Sequence, residues 1–179
     1  MAGMAPMNAL HKQLEKARFE RALTIIDSLC EHRALLTTGE LGRINQVITG
    51  KNDDPRRQQP TTLSHSSGRT FTFALMADPR TLARDKLHQA TEHCLSEKTD
   101  DIIEAATELY CALVLSHVFV DGNRRTAAAA AHYFLHRYGI PLTATAIHEL
   151  GMGDLRVPEQ VQALRDTLRQ MALFAMRRK

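Results

Sequence analysis

Apolar residues recur along most of this chain at intervals of three or four, the spacing that places them on one face of an α-helix. In residues 8–36, Leu14, Phe19, Leu23 and Ile26 follow this spacing with charged side chains between them, which predicts one long helix. The same pattern predicts helices over residues 39–49, 79–96, 100–118 and 125–138, and two shorter helices within 143–178, split around residues 151–153 and Pro158. The chain is therefore expected to be mostly α-helical.

One polar stretch interrupts the helical pattern. Residues 51–68 are rich in proline, arginine and serine without any periodicity, so they are expected to form the longest loop. Residues 69–75 follow with aromatic side chains at alternate positions, which predicts a β-strand. A short β-hairpin closed near Ser67 and Gly68 completes the expected fold class, a mostly α domain with one small β-hairpin.

Residues typical of helix ends support these boundaries. Thr37 and Thr38 indicate a break and a new N-cap before the second helix, and Gly50 is expected to close that helix. Asp78 followed by Pro79 is expected to cap the helix after the strand.

Composition narrows the class of protein without changing the fold. The 179 residues are enough for one compact domain, with a helix over residues 1–37 and the main domain over 38–179. Apolar residues make up 44% and charged residues 24%, which is ordinary for a globular protein. The net charge of +3 is too small to imply a nucleic-acid partner, so none is expected.

Cysteine usage and the N-terminus bear on the compartment. Cys30, Cys94 and Cys111 are odd in number and widely spaced, which indicates reduced thiols in a reducing compartment. No apolar stretch approaches membrane-spanning length, and residues 1–7 do not resemble a secretory signal. A cytoplasmic protein with no membrane partner is expected; export by a route that needs no such signal stays open.

The richest chemistry lies in the run from His117 to Thr126, which reads His-Val-Phe-Val-Asp-Gly-Asn-Arg-Arg-Thr. His117 can accept a proton from a hydroxyl near neutral pH. Asp121 can offer an oxygen to a hard cation such as Mg²⁺. The run therefore combines a candidate base with a candidate metal ligand.

The second half of the run adds donors for an anion. Gly122 and Asn123 allow a tight turn that points backbone N–H groups at the start of the next helix, which favours phosphate binding there. Arg124 and Arg125 carry forked donors that match phosphate oxygens. Such a set suits phosphoryl or nucleotidyl transfer. The alternative is a corner between two helices with solvated charges.

These residues closely resemble the signature loop of the Fic/Doc (Fido) superfamily, HxFx[D/E]GNxR. The resemblance extends over about residues 38–142 and implies a helical Fido-type fold. It further implies transfer of a phosphate-containing group from ATP, with Mg²⁺, to a Ser, Thr or Tyr hydroxyl of a target protein.

Roles carried over from the resemblance fall on particular residues. His117 would be the catalytic base and Asp121 the Mg²⁺ ligand, while Gly122, Asn123 and Arg124 would form the anion hole and Arg125 would grip the phosphates. A flap that docks an extended segment of the target by strand addition would comprise Ser67, Gly68, Arg69, Thr70 and Phe71.

Two positions depart from the AMP-transferring members of the family. Those members resemble one another in having glycine where this chain has Arg124, and a second arginine where it has Ala128. The Doc branch, whose activity is similar to that of a protein kinase, has lysine at the first position and lacks the second arginine. The preferred expectation is a protein adenylyltransferase; the alternatives are a Doc-like kinase toxin and a catalytically inactive binding module.

Regulation is also suggested by the resemblance. Many members carry an inhibitory helix of the form [S/T]xxxE[G/N], and the segment from Thr145 to Glu149 fits its first five positions, but Leu150 replaces the final glycine or asparagine. The alternative is an ordinary helix N-cap with a carboxylate in the second turn. Without this inhibition in cis, an antitoxin protein would be a further partner.

Overall fold

The computed structural model describes residues 5–64, 70–73 and 78–177. Within these residues the chain forms helices α1 (Ala5–Glu31), α2 (Thr38–Thr49), α3 (Pro79–His93), α4 (Thr99–Ser116), α5 (Asn123–Arg137), α6 (Ala144–Leu150) and α7 (Pro158–Met176), and strands β1 (Thr61–Ser64) and β2 (Thr70–Phe73). A short 3₁₀ turn, Cys94–Ser96, extends α3. The mostly α fold class is confirmed. No helix in these ranges has the length and apolar character needed to cross a membrane.

Capping side chains begin two helices where the sequence predicted them. The hydroxyl of Thr37 accepts a hydrogen bond from the N–H of Glu40 at the start of α2, and the carboxylate of Asp78 accepts one from the N–H of Thr81 at the start of α3. Gly50 closes α2 in the left-handed conformation. The cap of α6 is Thr143, so the alternative interpretation of Thr145 as an ordinary helix N-cap is wrong.

Several predicted helix boundaries differ from those of the structure. The first helix ends at Glu31 rather than residue 36, because Arg33 adopts a left-handed backbone (φ 53°) and the chain then turns towards α2. The fourth helix ends at Ser116, where His117 takes the left-handed conformation as its C-cap. α5 begins at Asn123, two residues earlier than predicted.

The predicted hairpin is confirmed, and it reaches into the stretch that was expected to be a loop. β1 and β2 pair antiparallel, with Thr61 opposite Phe73 and Ser64 opposite Thr70. β-branched threonines favour the strands, and the hydroxyls of Thr62 and Thr72 lie 3.0 Å apart across them. The predicted turn at residues 67–68 lies outside the described residues.

α5 is the central element of the core. Its alanine run, residues 127–131, is buried, with at most 1% of any of these residues exposed. Small side chains let neighbouring helices approach closely, and α4, α1, α2 and α6 all pack against α5. Ile26 of α1 and Ile44 of α2 fill the space beside it. The N-terminus of α5, which carries the signature run, is therefore held from several sides.

Candidate active site

His117 marks the abrupt end of α4. Its left-handed backbone (φ 48°, ψ 53°) turns the chain out of the helix, and its N–H still donates to the carbonyl of Val114 at 3.2 Å. The imidazole stacks on the ring of Phe73 from β2, with ring centroids 4.7 Å apart and planes inclined by 24°. Among the described residues, none forms a hydrogen bond with a ring nitrogen of His117, so both nitrogens are available to a ligand.

The surroundings of His117 favour its neutral form. Partial burial lowers the pKa of the imidazole below its ordinary value, the positive charge of Arg57 lowers it further, and Asp121 opposes the shift. A neutral imidazole is the form that accepts a proton. His117 is therefore poised as a base at neutral pH.

The signature loop is held by a short backbone ladder that the sequence did not reveal. Arg57 donates its N–H to the carbonyl of Val118 at 3.0 Å, and Val120 donates to the carbonyl of Pro55 at 3.0 Å. An isolated antiparallel bridge joins Arg56 to residue 119 between them. The segment after α2 thus supports the loop as an extra strand.

The side chain of Asn123 is used inside the loop. Its carbonyl oxygen accepts from the N–H of Phe119 and its amide nitrogen donates to the carbonyl of the same residue, both at 2.8 Å. Both residues are buried. Asn123 therefore shapes the loop through its side chain, and only its backbone N–H can face an anion.

Gly122 lies where a side chain would not fit. It has a left-handed backbone (φ 71°), and a Cβ at this position would lie 3.0 Å from Thr49 and 3.1 Å from the amide nitrogen of Asn45. That nitrogen donates to the carbonyl of Asp121 at 2.8 Å and to the hydroxyl of Thr126 at 2.9 Å. Asn45, 1% exposed, thereby ties α2 to both sides of the turn.

Unpaired backbone donors remain at the first turn of α5. The N–H of Thr126 donates to the carbonyl of Gly122, which closes that turn. No described residue accepts a hydrogen bond from the N–H groups of Asn123, Arg124 or Arg125. At the positive end of the helix dipole, donors of this kind are suited to binding an anion.

The side chain of Arg124 turns away from this anion nest, the backbone N–H groups of Asn123, Arg124 and Arg125. Its guanidinium donates to the carbonyl of Gly151 and, at 3.0 Å, to the carbonyl of Gly153, in the turn that follows α6. Tyr110 of α4 donates to the same Gly151 carbonyl at 3.0 Å. The side chain of Arg124 thus ties α5 to α6, and residue 124 offers the nest only its backbone.

Arg125 points towards α1. One of its nitrogens, Nη2, lies 3.2 Å from a carboxylate oxygen of Glu15, while Nη1 is buried and has no hydrogen-bond partner among the described residues. His148 of α6 lies close by: burial lowers the pKa of its imidazole most, followed by Arg125 and Arg124, and its Nδ1 is likewise buried without a partner among those residues. Two buried nitrogens here thus make no hydrogen bond to the described part of the chain.

Glu149, the carboxylate of the inhibitor-like segment, acts on this cluster through its charge, which opposes the lowering of the His148 pKa. It is exposed, and among the described residues it forms no ion pair. The carboxylate that contacts Arg125 belongs to Glu15 of α1 instead.

Asp121 lies at the mouth of the site, with 57% of its side chain exposed. Oδ1 accepts a hydrogen bond from the N–H of Gly122 at 2.6 Å, and Oδ2 lies 3.8 Å from Nζ of Lys51. No group of three metal-ligating side chains occurs among the described residues. Mg²⁺ often binds one or two carboxylates together with the phosphates of its substrate, so a single exposed carboxylate fits that ion.

The predicted flap is only partly described. Ser67, Gly68 and Arg69 lie outside the described residues. Thr70 and Phe71 belong to β2, where they pair through the backbone with β1. The side chain of this strand that contacts the candidate base is that of Phe73, at its last residue.

Sequence reasoning missed the residues that surround the signature run. Asn45, Arg57 and Glu15 come from distant parts of the chain and carry no motif of their own. A polar residue such as Asn45 on the apolar face of a predicted helix was the one available signal, since a buried amide needs hydrogen-bond partners.

The fold and this site define a class of protein, and comparisons with known proteins agree. The Fic/DOC family profile matches residues 32–135. The chain therefore belongs to the Fic/DOC family, and this membership supports a transferase of the Fic type in general. A comparison with curated proteins gave no match.

Solved structures share the fold. A Fic domain-containing signaling protein from Bacteroides thetaiotaomicron superposes with a TM-score of 0.68 at 18% identity, covering 90% of this chain and 70% of that one. Fic-1 from C. elegans (residues 134–508) superposes with a TM-score of 0.51 at 20% identity, covering 99% of this chain and 54% of that one. The chain thus spans about half the length of the C. elegans fragment.

Replacing Asn45 with alanine should destabilise the protein by about 1–3 kcal/mol, because the Asp121 carbonyl and the Thr126 hydroxyl lose a buried donor. Urea unfolding measures the change. The matched control is Gln46→Ala on the same helix, whose amide donates to carbonyls near the surface; it should cost less than about 1 kcal/mol. Equal losses in the two variants would contradict the role of Asn45.

Stability should fall as the pH is lowered through the ordinary histidine range, about 6.5. Burial lowers the pKa values of His117, His132 and His148 in the folded protein, so the unfolded chain binds more protons in this range. His117→Gln should make the decline shallower, as measured by urea midpoints between pH 8 and 5. A slope for His117→Gln like that of the unmodified protein would contradict the lowered pKa of His117 in the folded protein.

Proposed function

We propose that this protein transfers AMP from ATP to a hydroxyl side chain of a target protein. One observation carries the proposal: His117, partly buried and favoured in its neutral form, ends α4, and the signature loop then leads to the start of α5, whose first N–H groups have no partner among the described residues. A base next to an anion nest is the arrangement that activates a hydroxyl beside a bound phosphate.

The proposed reaction uses the residues of this site in definite roles. His117 takes the proton from a Ser, Thr or Tyr hydroxyl of the target. The hydroxyl oxygen then bonds to the α-phosphorus of ATP, while the bond from that phosphorus to the bridging oxygen breaks and pyrophosphate leaves. The N–H groups of Asn123, Arg124 and Arg125 face the charge that develops on the phosphate oxygens.

The position of Arg124 supports AMP as the transferred group. Its guanidinium is engaged by the carbonyls of Gly151 and Gly153. Residue 124 therefore presents the nest with a backbone N–H and no side chain, much as a glycine would. The bulk of an arginine at this position need not change how the triphosphate lies.

One observation favours transfer of phosphate as the second candidate. Ala128 is completely buried within α5, so no cation one turn into this helix grips the far end of the triphosphate. Arg125 is then the one arginine of the signature run whose guanidinium is left to contact a phosphate. A triphosphate bound in the reverse direction would present its γ-phosphorus to the hydroxyl, and phosphate would be transferred.

Asp121 is the residue proposed to hold Mg²⁺. Its carboxylate is exposed, and within the described part of the chain its Oδ2 has only the distant contact with Lys51 at 3.8 Å. When bound, Mg²⁺ would neutralise phosphate charge and help to orient the triphosphate. Lys51 would then lie near the same phosphates.

The β1–β2 hairpin is the proposed docking element for the target. It is a two-stranded sheet, no further strand pairs with either of its edges among the described residues, and its last residue, Phe73, contacts His117. An extended target segment that adds to such an edge would bring its hydroxyl towards the base. An antitoxin that covered the same edge would block it.

Mass spectrometry of a bacterial lysate incubated with the protein, ATP and Mg²⁺ tests the activity. An AMP-sized adduct on a protein hydroxyl is expected, and it should fall by about 10²–10⁴-fold for His117→Ala but not for the exposed His88→Ala. A phosphate-sized adduct would support the kinase alternative. The same adduct-free spectrum for the unmodified protein and His117→Ala would leave a binding module as the better account.

Nucleotide affinity should rise when Glu15 is neutralised. Glu15 occupies Arg125, and an incoming phosphate must displace it. Because a partly exposed ion pair contributes up to about 1 kcal/mol, Glu15→Gln should tighten ATP binding by at most roughly fivefold, as measured by calorimetry.

The matched control for this change is Glu20→Gln on the same helix, whose carboxylate lies 3.8 Å from Lys16. Its affinity for ATP should be unchanged. Unchanged or weaker binding for Glu15→Gln would show that Arg125 does not contact the nucleotide.

A further inference from the structure

Arg57 is a buried cation beside the signature loop, with 5% of the residue exposed. It comes from the polar stretch after α2, where the sequence indicated a loop with solvated charges. Its Nε donates to the carbonyl of His117 at 2.9 Å. Its Nη1 donates to the carbonyls of Gln59, at 3.0 Å, and Phe73.

Burying a guanidinium is costly, so such a residue needs a set of well-formed hydrogen bonds. The rigid fork of arginine supplies donors in several fixed directions, which lysine cannot do. Here the fork donates to three points of the backbone: the end of α4, the end of β2 and, only two residues along the chain from Arg57, the stretch before β1. The position therefore demands the geometry of arginine as well as its charge.

These contacts act on both parts of His117. The bond from Nε restrains the left-handed main chain of His117, and the N–H of Arg57 also holds the next carbonyl, that of Val118, at 3.0 Å. The bond to Phe73 restrains the residue whose ring stacks on the imidazole. One side chain thus fixes the backbone of the base and the surface against which its ring lies.

We propose that Arg57 is the positioning residue of His117, setting the direction in which the imidazole faces the anion nest and joining it to the β1–β2 hairpin. The catalytic meaning of this inference rests on the proposed function of His117 as a base. Correct orientation matters because a displacement of about 1 Å in a reacting group can reduce a rate by roughly 10²-fold.

The positive charge of Arg57 also supports the proposed role of His117 as a base. Burial is the main cause of the lowered pKa of His117, and the nearby guanidinium is the second. Asp121 is the charged group that opposes them. The guanidinium of Arg57 therefore helps to keep the imidazole of His117 unprotonated, while the hydrogen bonds of Arg57 hold His117 in place.

The test compares Arg57→Ala and Arg57→Lys with Arg56→Ala as the matched control. Arg56 is the adjacent arginine; its guanidinium contacts Asp54 at 3.0 Å and the Thr38 carbonyl at 2.9 Å. The first readout is the ring ¹³C–¹H NMR signal of His117, identified by its absence in His117→Ala. The second is kcat and the KM for ATP in the transfer assay.

In Arg57→Ala we expect the His117 ring signal to move towards its position in an unfolded peptide, because stacking on Phe73 is released. We expect kcat to fall by about tenfold or more while the KM for ATP changes by less than about threefold. Arg57→Lys should lie between, because an ammonium cannot hold all three segments. Arg56→Ala should move neither readout.

A folded Arg57→Ala protein with an unmoved His117 signal would overturn the proposal, as would an equal effect of Arg56→Ala. If Arg57→Ala does not fold, Arg57→Lys decides: a signal and kcat identical to those of the unmodified protein would overturn it. The NMR readout needs no turnover. A moved signal in a protein that transfers nothing would therefore refute the proposed function while leaving the positioning role intact.

Discussion

Among the described residues, none pairs with the backbone N–H groups of Asn123, Arg124 and Arg125 at the first turn of α5, and the surrounding loop leaves these donors unused. Donors at a helix N-terminus are usually satisfied by a capping side chain, yet the residue before α5 is Gly122, which has none. The side chains that could compete are occupied elsewhere: Asn123 bonds to the backbone of Phe119, and Asp121 bonds to the N–H of Gly122. The loop is thus held together without using the donors of the nest.

Two adjacent arginines serve different purposes because of helical geometry. Neighbouring residues of an α-helix project about 100° apart, so Arg124 and Arg125 leave α5 in different directions. Arg124 meets the carbonyls after α6, and Arg125 meets Glu15 of α1. One arginine therefore contributes to the packing of α5, and the other is paired with a carboxylate that, under the proposed function, a phosphate would replace.

The helices, most of their caps and the signature run could be predicted from the sequence, because periodicity and capping are local. The supports of the run could not. Arg57 and Phe73 reach His117 from beyond α2 and from a strand of threonines and aromatics, and only tertiary packing brings them together. β1 lies within the stretch expected to be a loop, and its sequence shows no alternation of apolar and polar residues that would predict a strand. Thr61 and Thr62 are compatible with a strand, but the strand forms because β2 pairs with it. The contact of Phe73 with His117 likewise depends on tertiary packing, and no local pattern in the sequence indicated it.

Ala128 shows why the two departures from the AMP-transferring pattern are not equivalent. The side chain at 124 lies at the rim of α5 and can turn away from the nest, so an arginine there leaves the backbone donors unchanged. Residue 128 is completely buried among helices that approach closely because their contacts are alanines. An arginine there would require that packing to open. The absence of the second arginine is therefore built into the core, and under the proposed function it would leave the phosphates to Arg125. Since Glu15 holds that same guanidinium, nucleotide binding through Arg125 would be thermodynamically linked to the position of α1.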